Sequence, residues 1–406
     1  MYRCTTIDRN RNARMRLRRP SRRLLAVQLL TGLAAMVPLT GHTQSSITLY
    51  GQVDTGINYR TSAGADPATG KAASAVSLVS GNEFTSRWGM YGVEDIGAGT
   101  KITFRLESGF NAATGSGNFA LPFPNDTNSL FDRSANVGVV SPVGTVLFGR
   151  VWSPLYDAMM TADATGFSNF ASLSSAMLQN SSNLNPKLGL AGAAAGVNSA
   201  VNGGLMYLWV NNAVKVSLPA NTYGFSGSAL YSFGGTAGDV QNKSTWSANL
   251  NWTNGTLGLV SGYFSAKDPT GLTDNTWLQA FTVGATYVIG STRTGLNYTK
   301  FRNPTTGANQ NWYYVSESWY VTPAFALSGD WMHVQDLRNS SAGGDIYKVG
   351  MNYFLSKSST LYADVGYANN KSQGILGGGI NSSPLTNPAT IGHNQLAIGA
   401  GLRKWF

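Results

Sequence analysis

From Ile47 to Tyr59 the chain reads ITLYGQVDTGINY. Ile47, Leu49, Val53, Ile57 and Tyr59 share one parity, and Thr48, Gln52, Asp54 and Asn58 share the other. A period of two sends alternate side chains to opposite faces of a strand, one apolar and one wet. The alternation returns in Trp246–Trp252, Phe281–Ile289, Thr360–Tyr367 and Leu396–Phe406. Short connectors (93–99, 142–144, 254–255, 290–291, 322–323, 356–358) alternate with long ones near 60–82, 112–129, 153–203, 234–243, 267–275, 302–310, 338–344 and 369–392. Tight turns and long loops in alternation are the pattern of an all-β, antiparallel transmembrane β-barrel. The spacing predicts about 16 strands, enough to enclose water.

Composition separates this from a soluble all-β fold. Charged residues make up 12% of the chain, against roughly 25% in an ordinary soluble domain. Tyr and Trp recur near expected strand ends (Tyr59, Tyr223, Trp312, Tyr320, Tyr347, Trp405), where interfacial girdles need them. No internal apolar run is long enough for a membrane-spanning helix.

The formal charge of +10 belongs to the first 43 residues, which hold nine Arg and one acid, Asp8. The remainder carries 20 basic and 18 acidic residues, so charge gives no case for a nucleic-acid partner. Arg14–Arg23 followed by the apolar Leu24–Leu39 reads as a signal peptide over residues 1–43, with Met15 as an alternative start. Cys4 is the only cysteine and lies there, so the mature chain is expected to lack disulfides.

The chain is organised around LFDRSANVGVVSPVGTVLFGRVWSPLYDAMMTAD, residues 130–163. It reads as a strand over Leu130–Val140, a Ser-Pro-Val-Gly turn and a second strand over Thr145–Val151. The polar stretch that follows has no strand-like alternation until about Leu205, and loops of that length are uncommon unless functional. Alternation turns Arg105 and Glu107 away from Phe104 and Leu106, toward the lumen, and turns Lys215 inward between Val214 and Val216. Arg150 closes the strand that launches the long loop; Asp157 and Asp163 are its acids. Arg133 shares the parity of Val137, so alternation alone does not turn it inward.

Four stretches resemble the general porins of Gram-negative bacteria, of the trimeric Neisseria and Burkholderia type. They are Gln44-Ser45-Ser46-Ile47-Thr48-Leu49-Tyr50-Gly51, the hairpin Ser86–Phe110, the hairpin from Val349-Gly350 to Leu361-Tyr362-Ala363, and Gly401-Leu402-Arg403-Lys404-Trp405-Phe406. The resemblance implies that the long loop folds inward as a constriction. It also implies that Arg87 and Arg133 stand on the facing wall, that the chain forms a homotrimer, and that the terminal Phe406 is a signal to the barrel-assembly machinery. The Ser-, Ala- and Gly-rich stretch over 172–201 departs from the pattern.

Enzymatic readings find little support. His333 and His393 are too few for a metal cluster, and Gly377-Gly378-Gly379 lacks a phosphate-loop context. No cofactor is expected. The expected function is an outer-membrane channel for small hydrophilic solutes and ions, weakly anion-preferring, in contact with outer-membrane lipid and lipopolysaccharide. A substrate-selective channel, and an adhesin or receptor barrel acting through its loops, are the alternatives.

Overall fold

The computed structural model describes residues 45–117, 129–173, 209–219, 222–377 and 390–406. The expected leader, residue 44 and most of 172–201 lie outside the described residues. Seventeen strands form one antiparallel sheet. In chain order they are β1 (Ser45–Ala65), β2 (Ala72–Ser80), β3 (Arg87–Gly97), β4 (Thr100–Gly109), β5 (Ser134–Ser141) and β6 (Gly144–Trp152). Next come β7 (Trp209–Ser217), β8 (Phe225–Ser232), β9 (Thr245–Thr253), β10 (Leu257–Lys267), β11 (Thr276–Ile289) and β12 (Thr292–Arg302). The last are β13 (Asn309–Thr322), β14 (Phe325–Asp336), β15 (Gly343–Ser356), β16 (Ser359–Asn370) and β17 (Gln395–Trp405).

β2 and β3 pair with the two halves of the long β1, so they are one stave interrupted at 81–86. Seventeen segments therefore make a closed barrel of sixteen staves. Closure runs through β1 and β17, from Gln52 opposite Trp405 to Arg60 opposite Ala397. Gly51 and Phe406 exchange both backbone hydrogen bonds at 3.0 Å. The Phe406 ring occupies the space where a Cβ on Gly51 would stand, at 2.4 Å.

The expected elements recur with different ends. The turn expected over 93–99 is only Ala98-Gly99, because the strands run on to Gly97 and resume at Thr100. The first long loop shrinks to 66–71, and a short connector at 218–224 was not expected. Leu130–Arg133 is not strand; β5 begins at Ser134.

The exterior is apolar and open: Ile47, Leu49, Ile57 and Val349 are between 60% and 69% exposed. The buried core lies inside the barrel while the outer face is apolar as well, unlike the polar outside of a soluble sandwich. Phe264, Leu278, Phe301, Trp312, Met332 and Ile346 cluster there with Leu155, Met159, Phe167 and Phe170 of the long loop. Trp312, expected in a girdle, belongs to this interior. Trp405 also has inward parity, opposite Gln52.

The loop after β6 opens with the single described helix, α1 (Pro154–Ala162). Ser153 caps it, its Oγ accepting from the Tyr156 N–H at 3.1 Å, and Pro154 takes the first turn, where a missing N–H costs nothing. The helix lies on the inner wall because the wall offers glycine there. A Cβ on Gly262 would stand 3.1 Å from Ala158 Cβ, and one on Gly284 would stand 2.8 Å from Ala162 Cβ. The wall also serves the orphan groups of the helix: Ser247 Oγ accepts from the Leu155 N–H at 3.1 Å, and Arg293 donates to the Thr161 carbonyl at 2.7 Å.

Candidate functional site

Glu107 is the centre of a charged cluster on the inner wall. Register pairs it with Gly89 of β3 and Ser134 of β5, and pairs Arg87 with Gln52 of β1, so these side chains share the lumen face. The carboxylate is 5% exposed. It accepts from Arg133 Nε at 2.6 Å and Tyr50 OH at 2.9 Å, with Arg87 Nε 3.8 Å away. The donors satisfy the buried carboxylate, which would otherwise be costly.

Arg133 reaches Glu107 because it precedes β5 rather than belonging to it. Its N–H donates to the Glu107 carbonyl at 3.1 Å, outside the alternation that governs Val137. The parity conflict in the sequence came from starting the strand four residues too early.

Aromatic faces hold the guanidinium groups. Arg133 lies 5.4 Å from the Trp152 ring and 5.2 Å from that of Trp209. Trp152 in turn stacks on Tyr156 of α1 at 4.4 Å. Arg87 stands 5.5 Å from the Trp405 ring. Arg105, on the same inward parity, is exposed and sits 5.8 Å from Tyr50 and 5.4 Å from Tyr91. Such contacts fix a cation's position and leave its charge in place.

The loop contributes a second pair. Lys215, on the inward face of β7, reaches Asp157 of α1 at 2.5 Å and donates to the Trp152 carbonyl at 3.0 Å. Burial pushes the Asp157 carboxyl above the usual carboxylate range, against the pull of Lys215.

Asp163 stands elsewhere, whereas Arg150 starts from the outward parity and brings its guanidinium to 6.0 Å from the Trp209 ring that also holds Arg133. Asp163 is 1% exposed. Its carboxylate accepts from the Thr165 N–H at 2.7 Å, the Phe167 N–H at 3.0 Å and Tyr314 OH at 3.1 Å. It fastens the loop to β13 and presents no free charge to the lumen. Arg150 lies opposite Ala135, on the outward parity of Phe148 and Val137. Its guanidinium turns back along the wall to the Asp132 carbonyl at 2.8 Å and to Asn211. The bulge between Gly149 and Val151, with Gly149 at a φ of 124°, shifts the alternation just where the strand ends.

A second charged group went unrecognised in the sequence. The interruption at 81–86 carries Glu83 to Arg403 at 2.8 Å, while Asp54 accepts from the Phe84 N–H at 2.6 Å and Tyr362 OH at 2.5 Å. Lys348 lies 3.7 Å from Asp364 and opposite Asp330 in register. Asp54, Glu83, Asp330 and Asp364 are all buried. Asn169 of the loop donates to the Gly81 carbonyl at 3.0 Å, so this group lies against the far end of the described loop. The signal was present for Arg403, which alternates against Leu402, and for Lys348, which alternates against Val349. Among the described residues no three His, Cys, Asp or Glu side chains are grouped to hold a metal.

Residues 30–373 match the family model described as Gram-negative porin. Over 387 residues the chain is 26% identical to outer membrane porin protein 32 of Delftia acidovorans, covering 89% of this chain and 95% of that protein. It is 39% identical to an outer membrane porin protein of Bordetella pertussis over 135 residues, which span 31% of this chain and 32% of that protein. Among solved structures, the anion-selective porin from Comamonas acidovorans superposes with a TM-score of 0.70 at 22% identity, covering 89% of this chain and all of that one. The trimer form of OmpT from Vibrio cholerae gives 0.57 at 16% identity, covering 89% and 99%.

Proposed function

This chain belongs to the Gram-negative porin family, and from that footing we propose that Arg87, Arg105 and Arg133, with Glu107, form the wall side of its constriction and give the pore a preference for anions. The protein is an outer-membrane porin, a passive channel. Asp157 of the loop helix and Lys215 of the β7 wall pair with each other and largely cancel. One observation carries the reading: Arg87 and Arg133 flank the buried Glu107 carboxylate, and Arg105, on the same lumen face and held by the Tyr50 and Tyr91 rings, is the exposed cation. The acids of the second cluster are buried behind the loop, so the charge offered to a passing ion is cationic. The name of the Comamonas relative agrees with this preference.

The solutes are small and hydrophilic, and no catalytic role is assigned. Assembly as a homotrimer is part of the proposal. The outer face of β1 and β2 bears Ile47, Leu49, Ile57, Val76 and Leu78, aliphatic and at least 60% exposed. Aromatic side chains instead ring β8 to β16 outside, among them Phe225, Trp246, Tyr287, Trp319, Trp331, Tyr347 and Tyr367. Aromatic girdles mark the lipid interface, which leaves the aliphatic face for a neighbouring copy. Residues 1–43 act as the export signal, Phe406 as the mark read by the assembly machinery, and lipopolysaccharide surrounds the loop end.

The channel reading is tested with purified protein in a planar bilayer. Ligand-free conductance steps that scale with the conductivity of the salt solution are expected. A barrel that inserts but stays closed would favour the adhesin reading instead.

A further inference from the structure

The outward face of β13 carries an acid for which the channel has no use. Glu317 is exposed and pairs in register with Thr294 of β12 and Gly329 of β14. Leu296 and Val315, on the same outward parity, are 50% and 37% exposed. Around Glu317 lies a groove of about 420 Å³ walled by Val315, Trp319, Leu327 and Trp331. Gly329 opens it: a Cβ there would meet nothing nearer than the Lys348 carbonyl oxygen at 3.5 Å. The outward neighbours Thr292, Thr294, Val349 and Met351 add no cation.

Its level in the membrane follows from the register. Trp319 pairs with Thr292, directly after the Gly290-Ser291 turn, so it stands at the short-turn rim. Short turns face the periplasm in outer-membrane barrels. Glu317 lies two residues further in, about 7 Å along the strand, at the boundary between headgroups and acyl chains. A carboxylate facing lipid there is unfavourable without water or a cation, and tryptophan faces attract ammonium groups.

We propose that this groove binds the ammonium headgroup of an aminophospholipid of the periplasmic leaflet. The carboxylate takes the charge, the two tryptophans flank it, and the apolar groove walls take the glycerol and upper acyl region. A second copy of the chain is a poorer occupant, because the aliphatic face suited to one lies on β1 and β2.

The test uses full-length porin reconstituted in vesicles of equal phosphatidylethanolamine and phosphatidylglycerol, then released for native mass spectrometry. Retained phosphatidylethanolamine should exceed phosphatidylglycerol by about five- to tenfold, the scale of one ion pair with one cation–π contact. Glu317→Gln should abolish the excess while leaving the heat resistance of the barrel intact. Gly329→Leu, which fills the groove and keeps the acid, should do the same and decides the matter if the first variant does not fold. Free ethanolamine should fail to displace the lipid, since it lacks the apolar part. Equal retention of both lipids by the unmodified protein, an unchanged excess in Glu317→Gln, or full displacement by free ethanolamine would overturn the proposal.

Discussion

Asp163 and Asp157 lie six residues apart on one loop and do different work. Asp163 has given its oxygens to two backbone N–H groups and Tyr314, and removing it leaves those buried donors unpaired. Such a loss costs about 1–3 kcal/mol, so Asp163→Ala should unfold at lower denaturant concentration. Its conductance steps should also spread, because the loop loses its hold on β13. A transition and a conductance histogram both unchanged would show that the hydrogen bonds do not fix the loop. Asp157 offers a titration. Burial raises its pKa, so on acidification it takes up a proton at a pH above the ordinary carboxylate range. Protonation uncovers the charge of Lys215, so anion preference should strengthen as pH falls through that range. Asp157→Asn should show the stronger preference at all these pH values and lose the step, as read from zero-current potentials across a pH series.

At the scale of the element, α1 can lie on the wall only because β10 and β11 present Gly262 and Gly284. Gly284→Val would drive a side chain against the Leu296 carbonyl oxygen of β12 and into Ala162, which stand 2.6 and 2.8 Å from where a Cβ would be. The helix must then move into the lumen, and single-channel conductance should fall; an unchanged conductance would place the helix elsewhere. Deleting Phe406 removes the backbone pair with Gly51 at the end of the closing β1–β17 seam, and should abolish heat-resistant oligomer in the membrane fraction. Normal oligomer would show that neither closure nor assembly depends on it. Strands and loops were legible because alternation and loop length survive in the sequence wherever a face is uniformly lipid-facing. Alternation failed where the chain left the ladder, at Arg133 just before β5; at Arg150, named for closing the strand, parity held and the long side chain turned back beside a bulge. It also failed for Trp312, where the inner wall is apolar because a loop packs on it. Asp163 looked like a pore acid because a sequence does not show which oxygens are already occupied.

Taken whole, the molecule is a barrel of sixteen staves whose interior is sorted by side. The Arg87–Arg105–Arg133 wall faces the lumen near β3 to β5, and the buried acids sit behind the far end of the loop. On the proposed constriction, the near-neutral total charge of residues 44–406 does not set the ion preference; the exposure of the charges at the constriction does. Two unit charges 4 Å apart interact by about 1 kcal/mol in water and about 4 kcal/mol at an effective dielectric of 20. A bias is thus expected only where the passage is narrow, and it should weaken in 1 M salt, where the Debye length is about 3 Å. Arg105 is the best probe, because it is exposed and not bonded to Glu107, whereas reversing Arg87 would set a second acid beside that buried carboxylate. Lys404, which bonds Ser358 and Ser359 on the outer face, is the matched control. The direct measurement is the zero-current potential across a potassium chloride gradient. The unmodified pore should give a potential of anion sign, and Arg105→Glu should move it toward cations well beyond the effect of Lys404→Glu. A cation-selective unmodified pore, or an Arg105→Glu potential that does not move, would contradict the placement of the constriction.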